Sequence, residues 1–170
     1  MTEPGPWPPA PIRTERLVLR ESEARDRAAF VELFASPEVG TYIGGAQPRD
    51  ELERTVAAVP GRRFGLFVAD LDGAMIGMIT LDPHDAETEL GYLFLPDAWG
   101  RGYATEACAA ALDWFAGARP GETVALRTQT ANVASMRLAA KLGFTEVETY
   151  EAYGAQQWLG RWSPVRPAGR

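Results

Sequence analysis

ELGYLFLPDAWGRGYATEACAAAL, residues 89–112, changes its hydrophobic period halfway along. The first part is an apolar run closed by Pro96, which cannot donate to a β-ladder, so it reads as a strand that stops there. Further on, Ala104, Ala107, Cys108, Ala111, Leu112 and Phe115 recur at the spacing of an amphipathic helix of about four turns. Between the two lies WGRGYATEA, Trp99 to Ala107. A strand that feeds a helix through such a loop leaves the first backbone N–H groups of the helix unpaired, and with the positive end of the dipole they form an anion site. Gly102 lets the backbone approach an anion closely, Ala104 is nearly as small, and Arg101 adds a charge. The loop lacks the Gly-Lys-Ser/Thr of a P-loop, and with only Gly100 and Gly102 it does not complete G-x-G-x-x-G. Taken alone, it fits a plain tight connection as well as a phosphate cradle.

Working outward, RLVLRES (16–22) alternates Leu17 and Leu19 with arginines as a half-buried strand does. Residues 24–34 place Phe30, Leu33 and Phe34 at helical spacing, and SPEVG breaks that helix. QPRDELERTVAAV (47–59) predicts a second helix with acids in its first turn. RFGLFVAD and AMIGMITL, joined by LDG, read as a hairpin. After the 89–112 run, TVALRTQT reads as a strand, and a helix runs from an Asn132 cap to Gly143. TEVETYEAY and QWLGRW close the chain as strands. The order predicts one α+β (mixed α/β) domain over 13–163, with a mostly antiparallel mixed sheet of about seven strands and about four helices. The five prolines of residues 1–12 predict a flexible arm, and 164–170 a tail.

With 46% hydrophobic residues in 170, the chain can bury one substantial core. It has no apolar run of membrane-spanning length and no secretory start, so a soluble cytoplasmic protein is expected. Seventeen basic against 23 acidic residues argue against nucleic acid as partner and favour a cationic amine. One cysteine and one histidine leave no Cys/His cluster, and no metal is expected. Cys108 falls on the buried helix stripe as a core thiol, and His84 in an exposed turn.

The 89–112 run, followed by NVASMRLAAKLGF, resembles the GNAT superfamily of acyl-CoA-dependent N-acetyltransferases. TERLVLRESEARDRAAFVELFASPEV is similar to the branch that includes the ribosomal-protein N-terminal acetyltransferases, and the resemblance spans about residues 13–162. It implies a sheet splayed in the middle, acetyl-CoA as co-substrate, and direct transfer to a primary amine on a protein N-terminus or small molecule in a ternary complex. A non-catalytic acyl-CoA-binding or regulatory module is the alternative. The family loop Gln/Arg-x-x-Gly-x-Gly/Ala falls on Trp99, Gly102 and Ala104, with tryptophan in the polar place. The resemblance sets the pyrophosphate on the N–H groups of Arg101, Gly102, Tyr103, Ala104 and Thr105, and the pantetheine beside Phe94 and Leu95. Homodimers are common among similar enzymes.

Acetyl transfer needs a neutral amine and a proton for the departing thiolate. An α-amine is about 10–17% neutral at pH 7 and a lysine about 0.04%, so a lysine or polyamine acceptor depends more on a base. The resemblance makes Glu89 the catalytic base, its pKa raised toward about 6–7 by an apolar strand end. Glu87, on the same strand face, is the alternative. Asn132 is a helix cap and, by the resemblance, a ligand of the pantetheine amides; Ser135 is a first-turn residue or the general acid near the sulfur. Tyr150 and Tyr153 are the downstream tyrosines for the acid role, against simple packing. Arg137 and Lys141 are solvated helix charges or contacts of the outer phosphate, and Trp99, Tyr42, Ile43, Trp158 and Trp162 wall an acceptor site or pack the core.

Overall fold

In the computed structural model, which describes residues 7–164, Leu66, Phe67, Val68 and Ala69 are all buried. Successive strand residues point to opposite faces, so this strand is covered on both sides. Eight strands make one sheet: β1 (Ile12–Arg13), β2 (Val18–Arg20), β3 (Leu66–Leu71), β4 (Ala74–His84), β5 (Glu87–Phe94), β6 (Val124–Gln129), β7 (Thr145–Ala152) and β8 (Ala155–Trp162). Their order in space is β1-β2-β3-β4-β5-β6-β8-β7, and only β5 and β6 are parallel. The helices are α1 (Arg27–Ala35), α2 (Pro37–Gly40), α3 (Arg49–Thr55), α4 (Tyr103–Ala118) and α5 (Val133–Leu142). On one face Phe67, Ile79, Leu90 and Phe94 pack with Ala107, Cys108, Ala111 and Phe115 of α4. On the other, Leu66, Val68, Met75 and Met78 pack with Phe30 and Leu33 of α1. The mixed α/β architecture is the expected one.

Three local expectations change. SPEVG does not simply end a helix: Ser36, in extended conformation, accepts the Val39 N–H at 3.2 Å and caps the one-turn α2, with Pro37 at its start. Of the expected arm 1–12, Trp7 and Ile12 pack on the core; residues 1–6, and residues 165–170 of the expected tail, lie outside the described residues. Ile12–Arg13 adds the eighth strand, pairing with Val18–Leu19. Trp7 packs its ring at 5.1 Å from Phe67, 5.3 Å from Phe64 and 5.7 Å from Trp114. Proline content disfavours secondary structure, but it does not prevent one large aromatic from burying itself.

The LDG hairpin is as read, since Asp72 (φ 52°) and Gly73 (φ 91°) both take the positive φ of a two-residue primed turn. Its preceding residue, Asp70, belongs to a buried charge cluster that the periodicity did not reveal. Arg20 Nε donates to Asp70 at 2.8 Å, while its Nη1 and Nη2 donate to Asp26 at 2.8 and 2.9 Å. Asp26 also accepts the Glu23 backbone N–H at 2.7 Å, so the entry to α1 is tied to β2 and β3 through one guanidinium. Burial pushes the Asp26 carboxyl up, but the Arg20 hydrogen bonds and the Glu23 amide outweigh that and hold it below its ordinary range.

Removing Arg20 would leave Asp26 without its cation and Asp70 with only Arg25 Nη2, at 3.4 Å. We expect Arg20→Met to cost about 3 kcal/mol, read as a shift of the urea midpoint at pH 7. A depressed carboxyl stabilises the fold above its unfolded pKa of about 3.9 and loses that contribution as pH falls through its lower folded value. Stability should therefore fall below about pH 4, and Asp26→Asn should flatten that acid limb. Trp7 Nε1 is buried without a hydrogen-bond partner among the described residues. Trp7→Phe should accordingly change stability by less than about 1 kcal/mol, whereas Trp7→Ala should lose about 2–3 kcal/mol.

Candidate active site

The parallel pair β5–β6 is laddered at only two positions, Thr88 with Val124 and Glu89 with Ala125. Beyond them the strands part, which is the expected splay. Leu95 N–H donates to Ile76 on the β4 side at 2.9 Å. Because strand residues alternate their hydrogen-bonding edge, Leu90, Tyr92 and Phe94 turn their amides toward the gap. Of the two residues expected beside the arm, Phe94 turns its amide toward the gap, as Tyr92 does, whereas the Leu95 amide is bonded to the β4 side. The Trp99 indole N–H donates to the Phe94 carbonyl at 2.8 Å, so Trp99 braces the end of β5.

At the end of β5 a short 3-10 turn, Pro96–Ala98, leads to Gly100 (φ 77°) and Gly102 (φ 80°). Gly102 is the N-cap of α4 and has a left-handed backbone that suits glycine. The helix makes its first backbone bond from Glu106 N–H to Gly102 at 3.0 Å, so the N–H groups of Tyr103, Ala104 and Thr105 open outward. A second element, missed in the sequence, holds this loop. Glu106 accepts from the Thr14 hydroxyl at 2.5 Å, the Arg16 backbone N–H at 2.9 Å and Arg16 Nε at 2.7 Å. Arg16 Nη1 donates to the Arg101 carbonyl at 2.8 Å, and its guanidinium stacks 4.3 Å from the Tyr103 ring centroid. Burial pushes the Glu106 carboxyl up, but these donors pull it below its ordinary range. The only signal for this clasp in the sequence is an acid in the first helical turn, where the dipole alone explains it.

Asn132 caps α5 as expected, its Oδ1 accepting the Ser135 N–H at 3.2 Å, which leaves its amide nitrogen for another partner. Ser135 is buried and its hydroxyl is hydrogen-bonded to the Tyr92 hydroxyl. Burial pushes the Tyr92 phenol up to about 12, against the opposite pull of the Ser135 hydrogen bond. Two protonated hydroxyls therefore meet beside the gap, and the sequence reading had only the serine. Tyr150 lies on the edge strand β7, opposite Gln157 of β8, which separates it from β6. The Glu89 row runs through Ala125 and Arg161, whereas the Tyr150 row meets β6 at Gln129, about 13 Å further along. Tyr153 is fully exposed in the β7–β8 turn, and among the described residues the Ser135 hydroxyl bonds Tyr92 rather than either of these tyrosines.

Glu89 does not stand against an apolar strand end. Arg127 Nη1 donates to it at 3.1 Å, and His84 Nδ1 lies 3.5 Å away. His84 is the last residue of β4 rather than part of a turn. Glu87 shares the Glu89 face, as expected, but Arg161 holds it at 3.1 and 3.2 Å. Trp158 is buried and Trp162 packs on the core, whereas Tyr42 and Ile43 are exposed. Tyr42 reaches the other wall of the gap, its hydroxyl 3.4 Å from the Ala131 carbonyl and its own carbonyl 3.3 Å from Gln129 Nε2. Arg137 and Lys141 are exposed on α5. A cavity of about 740 Å³ opens on the α1–α2 side of the loop, lined by Leu71, Ile76, Leu95, Arg101 and Tyr103.

A family model described as an acetyltransferase (GNAT) domain matches residues 16–145. The chain is similar to the uncharacterized protein YkkB of Bacillus subtilis, with 34% identity over 141 residues, 76% of this chain and 82% of that protein. Among solved structures, it is similar to an acetyltransferase from Agrobacterium tumefaciens at 26% identity, covering 96% of this chain and 99% of that one with a TM-score of 0.74. Mycobacterium smegmatis RimJ in complex with CoA-disulfide shares the fold at 23% identity, over 96% of this chain and 90% of that one, with a TM-score of 0.70. No helix among the described residues is long and apolar enough to cross a membrane.

Cys108 is fully buried, and burial pushes its thiol up, away from the thiolate form. A disulfide reagent should find no fast-reacting thiol in the native protein and a single one after unfolding. Loss of the α5 cap in Asn132→Ala should cost about 1 kcal/mol in urea unfolding, and Asn132→Ser should restore most of it.

Proposed function

The chain belongs to the GNAT acetyltransferase family, and from that premise we propose how its own residues divide the transfer of an acetyl group to a primary amine. The observation that carries the reading is a parallel pair that parts after Glu89 and ends at the glycine-opened start of α4. Those features fit acetyl-CoA: the loop supplies outward N–H groups for a diphosphate, and the gap supplies strand amides for an extended amide-containing arm. When bound, acetyl-CoA supplies the acetyl thioester.

The N–H groups from Arg101 to Thr105 hold the diphosphate, with Gly102 admitting close approach. The gap-facing amides of Tyr92 and Phe94 and the free amide nitrogen of Asn132 orient the arm. Ser135, with Tyr92 behind it, holds the proton that the departing sulfur needs; both groups are uncharged at neutral pH, as a donor must be. Glu89 receives the proton of the amine directly or through water, and Arg127 fixes its carboxylate. An α-amine needs that base least, because about a tenth of it is already neutral at pH 7. The exposed Tyr42 and Ile43 wall the acceptor side.

Calorimetry with acetyl-CoA, followed by thiol release across protein N-terminal peptides, polyamines, aminoglycosides and amino acids, tests the reading. We expect binding and turnover on at least one amine. No binding at millimolar acetyl-CoA would refute the site, and binding without turnover on any amine would favour the non-catalytic alternative. Ser135→Ala should lower kcat at least tenfold, and Tyr150→Phe should leave it unchanged. Glu89→Gln should lower kcat/KM at least tenfold for a lysine or polyamine acceptor and less for an α-amine, which needs the base least; an unchanged rate on every acceptor would assign the base elsewhere.

A further inference from the structure

Arg16 sits beside the start of α4, and the reading above does not use its charge. Its Nε is taken by Glu106 at 2.7 Å and one Nη1 hydrogen by the Arg101 carbonyl at 2.8 Å. A guanidinium carries five N–H donors, and among the described residues the other three have no acceptor. They are not turned away from the loop. A Cβ placed on Gly102 would stand 3.4 Å from Arg16 Nη2, so the guanidinium lies over the residue whose missing side chain opens the helix start.

We infer that Arg16 is a direct ligand of the cofactor's diphosphate, as well as a brace for the loop that holds it; this rests on the site proposed above. Two further observations support the assignment. Glu106 is a carboxylate in the first turn of α4, where its charge would repel an anion arriving at the same N–H groups. The ion pair with Arg16 cancels that charge and keeps cationic donors on the open side. The guanidinium is also held before any ligand arrives, by the Tyr103 ring at 4.3 Å, the Arg101 carbonyl and Glu106. A preorganised fork loses little rotamer freedom on meeting a phosphate, and a lysine here would not keep both existing bonds. The sequence pairing is TERL near the N-terminus with GYATEA, some ninety residues apart.

The test is calorimetry on the full chain with CoA, dephospho-CoA and phosphate-free S-acetylpantetheine. Arg16→Gln should raise Kd by about tenfold for CoA and dephospho-CoA alike and leave S-acetylpantetheine unaffected. The dependence of Kd on salt should become shallower in that variant, because a charge that met the phosphates is gone. Glu106→Gln separates ligand from brace: it loosens the clasp but keeps the Arg16 charge, and should bind CoA within about threefold of the parent. Equal losses in Arg16→Gln and Glu106→Gln, with an unchanged salt dependence, would make Arg16 a brace only and overturn the inference. A loss seen with CoA and not with dephospho-CoA would move the contact to the 3′-phosphate and overturn the diphosphate assignment. If Arg16→Gln does not fold, Arg16→Lys serves, with a smaller loss confined to the two phosphate-bearing probes. Failure of the parent protein to bind any of the three would refute the cofactor site itself, a different result from parental binding that Arg16 does not affect.

Discussion

Backbone amides inside a protein must find partners, and after Glu89 the strands β5 and β6 stop supplying them to each other. The rest of the molecule is arranged around that shortage. β5 remains fully paired to β4 on its other edge, from Glu87 to Phe94, so the strand stays in place while one edge is left open. Helix α4 packs across the same strands through Ala107, Cys108, Ala111 and Phe115, which fixes the direction in which its N-terminus points. Strand edge and helix start therefore offer one continuous run of donors, the arrangement an extended ligand with an anionic end requires.

Small residues keep the loop short, and long-range side chains keep it still. Gly100 and Gly102 take positive φ, a conformation that sterics deny most side chains, and a loop of this kind has little intrinsic rigidity. Rigidity comes from the β1–β2 turn, through Thr14 and Arg16 acting on Glu106. The same end of the domain is anchored further by Trp7 in its aromatic cluster and by Arg20 between Asp26 and Asp70. An N-terminal segment that looks like an appendage thus helps determine the shape of a site ninety residues away.

The titratable groups fall on two sides of the strand. Leu90, Tyr92 and Phe94 face α4 and α5, and there a phenol and a serine share a hydrogen bond in a buried setting that favours the neutral forms. Glu87 and Glu89 face the other way, each held by an arginine. One strand consequently separates neutral hydroxyls from carboxylates, a division that follows from the two-residue repeat alone.

Local pattern in the sequence determined the order of elements, the LDG turn, the Asn132 cap, the buried stripe of α4 and the glycine-bearing loop before it, because each depends on neighbours within a turn or a strand. The fold class followed, since strands that alternate with amphipathic helices have few ways to bury both. Side-chain partners remote in sequence were not legible. Glu106 could be read only as an acid suited to a helix start and Tyr92 only as one residue of an apolar strand, and the place of Tyr150 on the edge strand, beyond β8, follows from a strand order that local pattern does not give. Nor could the sequence say which backbone edge faced the gap, because that depends on register with β4, and a shift of one residue would present Gly91, Leu93 and Leu95 in place of Leu90, Tyr92 and Phe94. Local chemistry named the loop, and tertiary packing decided which charges and hydroxyls surround it, because those contacts form only when distant segments are brought together.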